Sequence, residues 1–163
     1  MSSPLVWIKD DGGREAAGFK GKAGDCVTRA VAIASRRPYL EVYNRFANGN
    51  AAQRITKRSK DSKAGKRTAR DGISTRRKWF GDYMRELGFE WVPTMRIGQG
   101  CTVHLRSDEL PGDRLVVSVS RHMVAMIDGV IHDTYDPSRA GTRCVYGYYR
   151  FREVRQGAAV PNG

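Results

Sequence analysis

The sequence contains no apolar run of about 18 residues, the length a helix needs to cross a bilayer, so neither a membrane span nor a membrane partner is expected. Its opening, Met1-Ser2-Ser3-Pro4, lacks the charged and then apolar pattern of a secretion leader. Cysteine is scarce. Three residues, Cys26, Cys101 and Cys144, are unevenly spaced and too few for a disulfide framework, which favours a reducing, cytoplasmic setting. C-x-x-C pairs and His-rich tracts are missing, so no zinc site and no cofactor is expected. No internal repeat is present either. One domain is expected over 1–154, with a flexible polar tail at 155–163.

Negative charge is also in short supply: Asp and Glu number 17 against 29 Lys and Arg, for a net +12. The excess is local. Eleven Lys or Arg lie between Arg54 and Lys78 against Asp61 and Asp71, so this stretch carries +9 of the total. It has no apolar period and reads as a basic insertion at about 49–73. Such a segment attracts polyanions, either nucleic acid or an acidic protein face, with Lys57, Arg58, Lys60, Lys66, Arg67 and Arg70 as candidate contacts. The plainer alternative is a solvated loop that adds solubility. Oligomeric state is left open.

Periodicity supplies the fold class. Leu5-Val6-Trp7-Ile8 reads as a strand. Val27, Ala30, Val31 and Ala34 recur at helical spacing within a helix over about 25–35, for which Asp25 is the candidate N-cap. A second helix is expected over about 39–47, burying Leu40, Tyr43 and Phe46 and stopped by Asn48-Gly49-Asn50. A third, capped by Ser74 or Thr75 and running to Leu87, has a core stripe of Trp79, Phe80, Tyr83, Met84 and Leu87. Strands are expected at 89–93, 101–105, 115–120, 123–127, 130–134 and 142–151. Helices early and strands late indicate an α+β domain, with the helices packed on an antiparallel sheet.

Two segments carry chemistry. Cys26 opens a helix, where the macrodipole and free N–H groups stabilise a thiolate. His122 opens a strand ahead of Asp128-Gly129, a two-residue hairpin signal. In that register Ile127 faces Val130, Val124 faces Asp133 and His122 faces Tyr135. Asp133 is then the diagonal neighbour of His122 on one face, within reach of a carboxylate–imidazole bond. Asp136 falls on the opposite face and is the alternative. A Cys nucleophile, a His acid/base and an Asp orienter, in that order, suit thiol hydrolysis.

Asp25-Cys26-Val27-Thr28-Arg29-Ala30-Val31-Ala32 resembles the Cys helix of OTU-type members of the papain-like cysteine peptidase superfamily. The stretch from His122 through Asp136-Pro137 is similar to the His and Asp strands of its transglutaminase-like and effector-type members. The likeness covers about 40 residues; the whole chain also looks like small proteins encoded by phages and bacteria. The resemblance implies a papain-like fold and a hydrolase that cleaves a peptide, isopeptide or related amide. Cys26 would be the nucleophile, His122 the base and acid, and Asp133 the third member. Relatives that place this Asp before a proline favour Asp136. The family's oxyanion-hole Gln, about six residues before the Cys, falls on Lys20, so Lys20, Gly24 and Asp25 are the candidate oxyanion and substrate contacts. A phage-encoded member would act in the host cytoplasm or travel in the virion, and an accessory protein binding nucleic acid on the same scaffold is the alternative function.

The remaining candidates have ordinary readings. Cys101 and Cys144 are read as small buried residues and His104 as structural. His132 is read as strand surface, with substrate contact as the alternative. Trp7, Trp79 and Trp91 are read as core. Tyr146, Tyr148 and Tyr149 could stack on bases, but alternating aromatics on a strand usually pack.

Overall fold

The computed structural model describes residues 6–19, 25–52 and 75–152. The basic residues from Lys57 to Arg70, together with Lys20, Gly24 and the 155–163 tail, lie outside the described residues. In chain order the elements are β1 (Val6–Lys9), α1 (Cys26–Ser35), α2 (Tyr39–Ala52), α3 (Lys78–Glu86), β2 (Phe89–Pro93), β3 (Arg114–Val119), β4 (His122–Ile127), β5 (Val130–Asp133) and β6 (Val145–Phe151).

The architecture is α+β: helices on a six-stranded sheet of order β1-β5-β4-β3-β6-β2. The expected all-antiparallel sheet is corrected at one edge, where β1 runs parallel to β5. A parallel pair needs a long crossover, and here more than a hundred residues separate the two strands, so no local signal marks the pairing. The hairpin reads as expected. Ile127 pairs with Val130, and Asp128 and Gly129 both take positive φ (49° and 81°), the conformation a tight primed turn requires.

Central strands bury both faces, because helices cover one and loops the other. Val116, Met123, Ala125, Phe89 and Tyr149 pack under the helices, against Ala30, Val31, Val42, Phe46, Phe80 and Met84. On the opposite face Leu115, Val117, Val124, Met126 and Ile131 pack with Leu105 and Leu110. The small residues of α1 let its backbone sit close to β4. Beyond its end, Arg36 turns left-handed (φ 59°), and the Arg114 Nε donates to the Ala34 carbonyl at 2.7 Å.

Several local expectations are corrected. α2 continues through Asn48-Gly49-Asn50 to Ala52, because tertiary contact replaces the missing propensity. The Trp79 ring packs over Gly49, where a Cβ would stand 2.5 Å from it. The buried side of α2 is Tyr39, Val42 and Phe46; Leu40 is exposed. α3 begins at Lys78, with Arg77 as its N-cap in place of Ser74 or Thr75, and its stripe is core as expected. Residues 101–105 form only a bridge, His104 to Cys144. Cys101 and Cys144 are not small buried residues. They are bonded to each other, tying the 94–104 loop to the start of β6, and Cys101 is exposed.

Trp7 and Trp91 are 38% and 43% exposed, since each sits on an edge strand, while Trp79 is partly buried as core. Trp91 lies flat over Gly147, where a Cβ would stand 2.4 Å from its ring. Gly147→Ala therefore lowers stability by about 1–3 kcal/mol, the range for overpacking a formed contact, as read from the denaturant midpoint. A loss under about 0.5 kcal/mol, the range of indifferent surface changes, means that the ring swings away freely.

Candidate active site

α1 delivers Cys26 to the end of β4 where His122 begins. His122 stands opposite Val119, next to the Ser120-Arg121 turn. Arg143, itself buried, clamps that turn by donating to the carbonyls of Ser120 and Pro137. The next strand, β5, ends in Asp133. Its Oδ2 meets the His122 Nε2 at 2.6 Å, with both side chains nearly buried. The Thr134 N–H donates to Asp133 Oδ1 at 2.7 Å, fixing the carboxylate plane. Tyr135 flanks the imidazole, ring centres 5.3 Å apart, as the hairpin register requires.

With Nε2 held by Asp133, Nδ1 is the ring nitrogen left for the thiol. Burial favours the neutral imidazole, but the hydrogen bonds and charges of Asp133 and Cys26 outweigh it and push the His122 pKa up to about 9. Burial likewise favours the protonated thiol. The hydrogen bond and charge of His122, the Met123 N–H and the Arg29 charge reverse that and hold the Cys26 pKa below its usual value. The two shifts are one event. Each group favours the charged form of the other, so the two titrations are coupled.

Behind the pair lies a buried charge cluster that the sequence reading did not use. Asp25 is 1% exposed and makes no side-chain cap bond to α1. It instead receives Arg29, the Arg14 Nε at 3.0 Å and the Tyr39 hydroxyl at 2.7 Å. Burial and the Asp25 carboxylate raise the Tyr39 pKa, so its hydroxyl remains a donor. Arg29 also reaches Asp133 Oδ1 at 3.6 Å. It joins the helix that carries the thiol to the carboxylate that orients the imidazole. The readable signal was the i,i+4 spacing of Asp25 and Arg29.

The other candidates separate clearly. The Asp25 carboxylate, expected toward the substrate, is instead enclosed and occupied by Arg14, Arg29 and Tyr39. Asp136 accepts the Ser138 N–H at 3.0 Å inside its own turn, and Asp133 takes the place beside His122. His132 pairs with Asp10 at 3.0 Å, linking β5 to the end of β1. His104 bonds Glu109 at 3.2 Å in the loop before β3. Among the described residues no group of His, Cys, Asp and Glu is arranged to hold a metal ion, and no helix is long and apolar enough to cross a membrane.

No family model, curated protein or solved structure matches the chain.

Proposed function

We propose that the chain is a papain-like cysteine hydrolase that cleaves a peptide, isopeptide or related amide through Cys26, His122 and Asp133. The observation that carries this reading is the buried His122–Asp133 contact at the end of β4 where α1 brings Cys26. Cys26 and His122 perturb each other's pKa in opposite directions, while Asp133 holds the far nitrogen of the ring at 2.6 Å. A structural cysteine needs no such partner.

The chemistry follows from the charges. The thiolate attacks the substrate carbonyl without prior deprotonation. The Asp25 side chain makes no cap bond to α1, so it does not compete for the N–H groups of the first turn, which would meet the oxyanion at the positive end of the helix dipole. The His122 imidazolium gives its proton to the leaving nitrogen, the C–N bond breaks and a thioester forms. Neutral His122 then takes a proton from water, the hydroxide adds to the thioester, and collapse releases the acid and the thiolate. Asp133 keeps the ring oriented and stabilises its charged form.

The test is alkylation by iodoacetamide across pH, with peptide mass mapping. Cys26 is labelled at lower pH than an ordinary thiol, and His122→Ala removes this advantage. A rate that climbs only above pH 8 and is indifferent to His122→Ala overturns the reading.

A further inference from the structure

A cleft of about 760 Å³ opens beside the candidate active site, and Met123 belongs to both. Met123 follows His122 in β4, belongs to the core cluster against which Cys26 packs, and also lines the near end of the cleft. From there the cleft crosses β3 and β6 to β2. Its far end carries Phe89 and Tyr149, both buried, and Trp91 and Tyr146, which are 43% and 41% exposed. An exposed indole seated on Gly147 presents a flat apolar surface without a covering group among the described residues. Arg76 also lines the cleft and has no ion-pair partner among the described residues, whereas Arg85 is paired with Asp82 and Glu90 with Arg152.

The direction of the reaction assigns the occupant. Asp133 and its hold on His122 lie on the β5 side of β4, and the cleft lies on the β3 side. The leaving nitrogen departs toward the imidazolium that protonates it, so the acyl portion takes the cleft. Strands are spaced about 4.8 Å apart, placing Tyr149 and Trp91 about 10–14 Å across the sheet from β4. An extended chain advances about 3.3 Å per residue, so that span is three or four residues.

Building on the hydrolase reading, we infer that the substrate is an extended peptide on its acyl side. It lays a large aromatic or aliphatic side chain on Trp91 and Tyr149, three or four residues before the scissile carbonyl. A neighbouring carboxylate on that peptide meets Arg76. Burying such a side chain against the indole supplies selectivity, and the Arg76 guanidinium adds a preference for acidic flanks.

Alanine pentapeptides ending in a chloromethyl ketone, with Phe moved through each position, test this as covalent probes of Cys26. Phe at the third or fourth residue before the ketone raises the labelling rate over the all-alanine probe by about tenfold or more. Adding Glu beside it raises the rate further at low salt, and Arg76→Gln removes that increment. Trp91→Ala, compared with Trp91→Leu, erases the Phe-to-Ala rate ratio. Because each variant is scored as a ratio of two probes, a general change in thiol reactivity cancels. A ratio below about twofold at every position, or a preference confined to the residue next to the ketone, overturns the inference while iodoacetamide still labels Cys26. Failure of iodoacetamide itself overturns the hydrolase reading, and this inference with it.

Discussion

Asp133→Asn lowers the alkylation rate of Cys26 at pH 6.5 by about tenfold to a hundredfold, each unit of pKa being a factor of ten in the thiolate population. The carboxylate is what holds His122 up to about 9, together with the thiolate. An amide keeps the shape but loses the charge, so the imidazolium is less favoured and its titration moves down toward the ordinary value near 6.5. The sign is fixed by the pairing. A weaker imidazolium stabilises the thiolate less, so the Cys26 pKa rises and reactivity retreats to higher pH. Following the His122 ring protons by NMR gives the first shift, and the alkylation profile gives the second. Turnover falls further, by about 10²–10⁴-fold, as expected when the orienter of a triad loses its charge. Asp136→Asn is the comparison. Its carboxylate serves a turn and not the imidazole, so the His122 titration stays where it is. If Asp136→Asn moves that titration and Asp133→Asn does not, the roles of the two carboxylates are reversed.

Asp25→Ala costs about 3–5 kcal/mol, the range for removing one member of a buried ionic group. Arg14 and Arg29 are both less than a sixth exposed. Without Asp25, Arg14 loses this buried anion, Arg29 keeps Asp133 among the described residues, and the Tyr39 hydroxyl loses its acceptor. For a chain of this size that is a fall in melting temperature of about 6–20 °C. A helix cap exposed to solvent behaves otherwise, costing about 1 kcal/mol. Thermal melts of Asp25→Ala and Asp25→Asn separate the two cases. A loss near 1 kcal/mol in both places Asp25 among ordinary caps and removes the cluster from any part in holding the site together.

The cluster also explains why Asp25, which holds the expected N-cap position, makes no side-chain cap bond. Its position one residue before the helix matches the capping pattern, yet its side chain turns inward to two arginines and a tyrosine. Spacing reports where a residue sits along the chain, while the direction of its side chain depends on what else is buried nearby. The same distinction applies at Leu40 and Tyr39. Both fit a helical period, but only the approach of α2 to its neighbours decides that Tyr39 is inside and Leu40 outside. Trp91 reads as core by its chemistry and is exposed because its strand is an edge. Cys101 and Cys144 read as separate residues because their pairing depends on a loop folding back onto β6.

Within the reach of local rules, the chain alone determined the amphipathic core of α1 and the stripe of α3. It also determined the two-residue turn at Asp128-Gly129 and, through that turn, which carboxylate faces His122. Each of these needs only the helical or strand period and a count across one tight turn. Tertiary structure decided the rest: the parallel seat of β1, the bond between Cys101 and Cys144, the enclosure of Asp25 and the meeting of Cys26 with His122. Those contacts join residues far apart in the chain. They form only where burial of apolar faces repays the entropy of closing long loops, which no short window of sequence records.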